Sequence, residues 1–290
     1  MQNARPSRTA LATAFARAAH LCLDDAPPVF EDAVAARLLP GYQRRMLRRL
    51  ALISQPWARR LRSGRDAFTA MRTQIVVRAR YAEDALKEGD SEGRQRYVVL
   101  AAGLDTFALR QNREGEQRLP VLEIDHPATQ SWKRDLLTQR KIPVPRELTF
   151  LPIDFEQNSL SDAWIGSQAP DFISWLGTTY YLTGEAIANT LTTLAKSTQT
   201  GTRLVLDFWC EPPAWNAGSF LLLGTRFAVA MQQEPMHSFF KPREIEALAN
   251  SAGWRVKEIC SPAEQNRRYL QNRRDRLSVP AFSYLLHLEH

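Results

Sequence analysis

Asp125 stands 22 positions after Gly103, at the end of the run Leu119 to Asp125, and Gly103 closes the apolar run Tyr97 to Leu100 through Ala101 and Ala102. These pieces predict a buried strand, a turn of small residues, a helix start at Thr106-Phe107-Ala108-Leu109, and a second strand ending in a carboxylate. Together they make the first half of a nucleotide-binding α/β unit, in which backbone without side chains passes close to a ligand. The carboxylate's work there is to accept from two ribose hydroxyls, because hydrogen bonds to a charged group are worth about 1.5–3 kcal/mol each. Asp125 is placed for this. Glu123, two residues earlier on the same strand face, is the reserve candidate, and Asp125 can also cap a helix that Pro127 opens.

Other side chains carry chemistry of their own. Asp154 beside Phe155, after the strand-like run Leu148 to Ile153, suits an adenine: the acid accepts from the exocyclic amine while apolar surface covers the ring. The alternative for Asp154 is another helix cap. Arg78 lies near the apolar stripe of a helix and, if buried, needs an anionic partner. Glu83 or Asp84 would serve, and exposure would remove the need. Asp207, inside the apolar run Arg203 to Trp209, must be paired as well, and its place beyond the cofactor edge favours a structural role. His126 follows the ribose acid, on the cofactor side. His237, in Met236-His237-Ser238-Phe239-Phe240, is the histidine nominated near an acceptor. Tyr180 and Tyr181 are adjacent and cannot both face one site in extended chain.

The elements that must hold these residues follow from periodicity. Residues from Ser7 to about Ala85 read as helices, with Leu11, Phe15 and Ala18 behind a Ser7 cap, a break at Pro27-Pro28, and a short helix from Phe30 to Leu39 stopped by Pro40-Gly41. A basic helix follows, with Tyr42, Met46, Leu50 and Ile53 as its inward stripe and Arg44, Arg45, Arg48 and Arg49 on its wet flank. A long helix spans about Arg65 to Leu86, with Phe68, Met71, Ile75, Ala79, Ala82 and Leu86 inward. Beyond the first three strands come Asp171 to Leu176, Arg203 to Trp209, Arg255 to Ile259, and Ala281 to His287 as a last, antiparallel strand. Helices are expected from Pro127 to about Arg140, from Thr183 to about Lys196, and from Pro242 to Ser251. Arg267 to Leu277 reads as a basic loop. Glu211 to Phe240 is an insertion rich in Trp215, Phe220, Leu221, Leu222, Phe227, Met231, Met236 and Phe239. Placed after a late strand, it would wall an acceptor pocket.

In this order, LAAGLDT, LEIDHPATQSWK, FLPIDFEQ and ISWLGTTYYLT resemble the motifs of the leucine carboxyl methyltransferase family. The match is closest to its bacterial branch of S-adenosylmethionine-dependent O-methyltransferases, some of which serve natural-product pathways. The likeness runs from SRTAL at Ser7, through VVRARYAEDAL, to EPMHSFFKP and RRYLQNRRDRL. It implies an α/β fold of the class I methyltransferase type: a doubly wound, mostly parallel seven-stranded sheet with a helical cap over residues 1–90. The cofactor-binding domain would span 91–287, with a substrate-capping insertion at 211–240. The implied cofactor is S-adenosyl-L-methionine, leaving as S-adenosyl-L-homocysteine, with no metal. Its implied contacts are Arg78 at the methionyl carboxylate, with Ala101, Gly103, Asp125, Asp154, Phe155, Leu176 and Gly177. Tyr181 aligns with the family's tyrosine beside the transferred methyl, and His237 is the second candidate catalytic residue. The family usually has glycine where this chain has Ala101. A Cβ at positive φ costs roughly 1–2 kcal/mol, so Gly103 is expected to carry the close approach and Ala101 to keep a negative φ.

Composition sets the outer bounds. With 290 residues, 44% hydrophobic and 24% charged, the chain can form one large domain with appendages. No apolar run reaches the length of a spanning helix and no secretory leader is evident, so a cytoplasmic protein without membrane attachment is expected. Cys22, Cys210 and Cys260 lack metal spacing and read as free thiols. Leu288-Glu289-His290 resembles a tag stump. A net charge of +7 and pI ≈ 9.6 permit nucleic-acid binding, but no aromatics interleave the arginines as a single-strand platform requires. The expected partner is a small molecule with an apolar body; oligomeric state is not legible. A carboxylate acceptor is favoured by the resemblance and by the arginine surplus, with a hydroxyl or a protein C-terminus as rivals. A nicotinamide oxidoreductase is disfavoured, since LAAGLDT lacks three spaced glycines and no Tyr-x-x-x-Lys follows at Tyr180 or Tyr181.

Overall fold

The structure, a computed structural model, describes residues 8–53, 66–88, 96–111, 118–153, 170–211 and 236–290. The described helices are α1 (Arg8–Leu23), α2 (Ala33–Leu38), α3 (Gly41–Ile53), α4 (Ala67–Lys87), α5 (Phe107–Arg110), α6 (Pro127–Gln139), α7 (Gly184–Ser197), α8 (Pro242–Ser251) and α9 (Pro262–Tyr269). The strands are β1 (Tyr97–Leu100), β2 (Val121–Asp125), β3 (Leu148–Pro152), β4 (Phe172–Trp175), β5 (Arg203–Trp209), β6 (Arg255–Cys260) and β7 (Ser283–Glu289). They form one sheet in the order β3-β2-β1-β4-β5-β7-β6. All pairings are parallel except those of β7, which runs antiparallel to both β5 and β6. The order reverses at β1, so the crevice outside the carboxyl ends of β1 and β4 is where a doubly wound sheet binds ligand.

Central parallel strands are covered on both faces, which is why β1 and β5 are buried at every position. Alternation divides them between two cores. Val98, Leu100, Leu122, Ile124 and Leu204 pack with Ile187, Leu191 and Leu194 of α7 and Ile245 and Ala249 of α8. Tyr97, Val99, Val121, Phe172 and Val205 pack with Tyr81, Ala82, Ala85 and Leu86 of α4. α4 therefore belongs to the sheet's own covering layer as much as to the cap. A third cluster joins α1, α2 and Leu47 of α3 to Leu136 and Leu137 of α6.

Local chemistry starts the helices where the sequence indicates. Asp66 accepts from Thr69 N at 2.9 Å ahead of α4, and Thr183 accepts from Ala186 N at 3.2 Å ahead of α7. Before Pro127 the capping residue is His126, whose Nδ1 accepts from Ala128 N at 3.2 Å; Asp125 is thereby left to other partners.

Several expectations need correction. α3 buries Leu47, while Tyr42 and Met46 are 61% and 44% exposed, so its inward stripe is rotated from the one read in sequence. Leu50 of the expected stripe does pack on this core beside Leu47, so the buried face centres on that pair. Phe68 is exposed, whereas Val76 and Val77 are fully buried, because α4 is sandwiched between the cap and the sheet. Part of the expected basic loop is helix α9, started by Ser261, which accepts from Glu264 N at 3.2 Å, and by Pro262. Leu288-Glu289-His290, left out of the expected last strand, continue it: Leu288 is fully buried opposite Leu204 in the β5–β7 ladder, and His290 N donates to Thr202 O at 2.8 Å. The three cysteines are free, Cys260 buried and the other two half-buried. No described helix is long and apolar enough to cross a membrane.

His287 of β7 is buried, and its Nε2 has no hydrogen-bond partner. Burial, reinforced by Lys257 and Arg203, lowers its pKa to about 4. Between that value and the unfolded value near 6.5 only the unfolded chain takes up the proton, so stability from this residue falls as pH drops from 7 to 4. The loss should be about 3 kcal/mol. Glu123, whose pKa burial raises, acts in the opposite sense over part of this range. The measurement is therefore a difference: urea unfolding of wild type and His287→Gln should give stabilities that diverge in pH dependence, and parallel curves would refute the assignment.

Candidate functional site

A cavity of about 360 Å³ opens over the carboxyl ends of β1, β2 and β4, within the usual range for small-molecule sites. Its floor is Val99 to Thr106, Asp125, and Ser174 with Leu176 to Thr178. Its roof comes from the cap: Thr9, Ala10, Thr13 and Arg17 of α1, and Ile75, Arg78 and Ala79 of α4. Tyr181 and His237 close one side. The candidates Arg78, Ala101, Gly103, Asp125, Leu176, Gly177, Tyr181 and His237 are thus brought to one hollow. Asp154 and Phe155 lie outside the described residues, as does the insertion from residue 212 to 235 with Trp215, Phe220, Leu221, Leu222, Phe227 and Met231.

The β1 turn differs from its expected form. Ala101 has φ +52° and Gly103 φ +53°, so both occupy the left-handed region. The turn has to reverse sharply while Ala102 N stays on the ladder, donating to Ile124 O at 3.2 Å, and Asp105 N closes back on Ala102 O at 2.8 Å. A Cβ on Gly103 would sit 3.1 Å from the Cβ of Ala10, so the α1 backbone approaches closely there. Ala101 carries strain the family's usual glycine would not. Ala101→Gly is expected to stabilise the fold by about 1 kcal/mol after the extra chain entropy of glycine is subtracted. A thermal midpoint at or below that of wild type would count against it.

Asp125 ends β2 at the cavity edge. One of its oxygens accepts from Gly103 N and the other from His126 N at 2.6 Å. Each carboxylate oxygen has two acceptor sites, so both keep capacity for a ligand. Burial raises the Asp125 pKa, and the two backbone donors work against that shift. Glu123 does not share the cavity. It is buried, paired with Lys133 Nζ at 2.5 Å, and Lys133 also donates to Asp105 O at 2.7 Å, which ties α6 to the loop.

Arg78 is 7% exposed and pairs with neither Glu83 nor Asp84. Its Nη1 donates to Asp207 Oδ2 at 2.9 Å and to the Tyr180 hydroxyl at 3.0 Å. Burial opposes its charge, but Tyr180 and Asp207 more than restore it, so its pKa is raised. Glu83 pairs with Arg110, and Asp84 with Arg80 at 2.8 Å. Tyr180 is buried beneath the cavity, and Tyr181 lines it. His237 is anchored by its backbone, its N donating to Tyr180 O at 2.8 Å.

Residues missed in sequence include Arg17 and Arg110. Arg17 donates to Asp32 at 2.8 Å and to Leu104 O at 2.6 Å, bracing the loop from below the cap. An arginine among the alanines of α1 raised the same pairing question that was asked of Arg78, and Asp32 was available as its answer. All three cavity arginines are engaged by carboxylates, namely Asp32, Asp207 and Glu83. Asp105 and Asp125 are the acids of the described lining, while Asp32, Asp207 and Glu83 hold the arginines from behind it.

Sheet order and the crevice at the switch point define the doubly wound α/β fold of the class I methyltransferases. A family model described as leucine carboxyl methyltransferase matches residues 10–195, and the chain belongs to that family. A Bacillus subtilis protein, YktD, is 32% identical over 99% of both chains and carries the name of an S-adenosyl-L-methionine-dependent methyltransferase. A Mycobacterium avium protein named likewise is 26% identical over 89% of this chain and 82% of its own. Among solved structures, the magnesium protoporphyrin IX methyltransferase of Synechocystis PCC 6803 with bound S-adenosylhomocysteine is 13% identical, covers 81% of this chain and 94% of its own, and gives a TM-score of 0.49. The cofactor is S-adenosylmethionine, and the oxidoreductase alternative falls.

Proposed function

We propose that this methyltransferase forms methyl esters on a small carboxylic acid with an apolar body. One observation supports the site above others: Arg78, the turn from Ala101 to Gly103, Asp125, Gly177, Tyr181 and His237 come from separate segments and line the same cavity. In this reading Asp125 accepts from the ribose hydroxyls, Arg78 holds the methionyl carboxylate, and the turns at Gly103 and Gly177 give backbone access to the cofactor. The bound cofactor supplies a methyl group made electrophilic by its sulfonium.

The chain's own task is then orientation, which can contribute about 7–11 kcal/mol when reactants are held in line. A carboxylate is already ionised at neutral pH and needs no base, so Tyr181 and His237 serve as hydrogen-bond donors that aim it. The arginine surplus no longer supports this acceptor, because the cavity arginines are paired. The family relationship does support it. A hydroxyl acceptor is the second reading, favoured by the presence of His237, which could then act as base.

The two separate cleanly. Enzyme supplied with methyl-tritiated S-adenosylmethionine and panels of carboxylic acids and phenols should label the acids. Mild alkali should release that label as volatile methanol. Label that survives alkali is an ether, and would replace the carboxylate reading with the hydroxyl one.

A further inference from the structure

Asp207 sits mid-strand in β5 between Leu206 and Phe208 and is fully buried. Replacing a buried ion pair by apolar side chains is often neutral or stabilising, so stability alone is a poor reason for an acid at this position. Its contacts point elsewhere. Oδ2 accepts from Arg78 Nη1 at 2.9 Å, and Oδ1 accepts from Gly177 N at 2.5 Å. Its carbonyl accepts from the Thr179 hydroxyl at 2.5 Å. Tyr180, two residues beyond Thr178 in the same turn, accepts the second bond from Arg78 Nη1 at 3.0 Å. One residue therefore fixes both the guanidinium and the turn that follows β4.

We propose that Asp207 and Tyr180 are positioning residues that aim Arg78 at the cofactor's amino-acid carboxylate; this rests on the reading of Arg78 given above. Nη1 is committed to the two buried acceptors. Nη2 lies on the Gly177 side, where an added Cβ would stand only 2.6 Å from it. Arg78 and Gly177 both line the cavity, so the guanidinium meets ligand in an orientation set from behind by groups that never touch it. A guanidinium free to rotate would lose the fixed fork that makes arginine selective for carboxylates.

The test uses two ligands that share the nucleoside and differ in the amino-acid part. S-adenosylhomocysteine has the carboxylate, and 5′-methylthioadenosine lacks it. Calorimetry on the wild-type enzyme should show the first binding at least about tenfold more tightly than the second, as a hydrogen-bonded charge implies. Arg78→Met should abolish the preference. Asp207→Asn should compress it by about tenfold, and Tyr180→Phe by about threefold, while affinity for methylthioadenosine changes little. A role confined to folding would weaken both ligands in proportion and leave their ratio intact. That outcome, with Arg78→Met still abolishing the preference, overturns the positioning role alone. A preference that survives Arg78→Met overturns the reading of Arg78 itself. Should Asp207→Asn fail to fold, Tyr180→Phe decides, since it removes a single hydroxyl.

Discussion

Asp125→Ala should lower the affinity for S-adenosylmethionine by at least about a hundredfold, since two hydrogen bonds to a charged acceptor contribute about 3–6 kcal/mol together. The loss has a second component. Gly103 N and His126 N both donate to this carboxylate, so the alanine variant also frees the turn after β1 and the start of α6. Asp125→Asn separates the two. It keeps the shape and one acceptor oxygen, holding one backbone donor, but it lacks the charge and has fewer acceptor sites for a diol. Its affinity should fall between those of wild type and Asp125→Ala, with a thermal midpoint below wild type because the amide NH2 faces one of the two backbone donors. Calorimetry with S-adenosylmethionine is the measurement, and binding by Asp125→Ala within about threefold of wild type would remove Asp125 from the site.

Much of this architecture could be read without coordinates because the decisive signals were local. Buried parallel strands leave continuous apolar runs, as in Tyr97 to Leu100 and Arg203 to Trp209, and the antiparallel character of the last strand was also expected. Helix starts at Thr183 and Pro127 were equally visible, although the cap before Pro127 is His126 and not Asp125. What escaped was long-range. Arg78 and Asp207 were each recognised as charges in need of a partner, yet they are 129 residues apart, and nothing in either segment names the other. Asp207 was set beyond the cofactor edge, but its side chain reaches back under β4 to the Gly177 turn. Ala101 shows a different limit. Its side chain argued for negative φ on local energy, and the ladder bond of Ala102 with the Asp125–Gly103 contact imposes the left-handed turn at a cost the fold absorbs.

Gly177→Ala should be the most damaging small substitution in the chain's centre. Gly177 has φ +78°, and an added Cβ would stand 2.6 Å from Nη2 of Arg78 and 3.1 Å from its Cζ and Nη1. A flexible side chain could step aside, but this guanidinium is buried and held by Asp207 and Tyr180. Accommodating the methyl group means breaking those bonds or moving the turn, whose Gly177 N is bound to the same Asp207. Left-handed strain adds roughly 1–2 kcal/mol, and disturbing hydrogen bonds to a charged group about 1.5–3 kcal/mol more. Gly201→Ala isolates the first contribution: Gly201 has φ +89° with nothing within 4 Å of its would-be Cβ, so that variant bears backbone strain without collision. Urea unfolding should therefore show Gly177→Ala the less stable of the two by about 2 kcal/mol, and calorimetry should show its cofactor affinity reduced at least about tenfold while Gly201→Ala binds as wild type does. Equal stabilities and unchanged affinity in both variants would mean that Arg78 can retreat freely, and a guanidinium that can retreat is not one the fold has aimed.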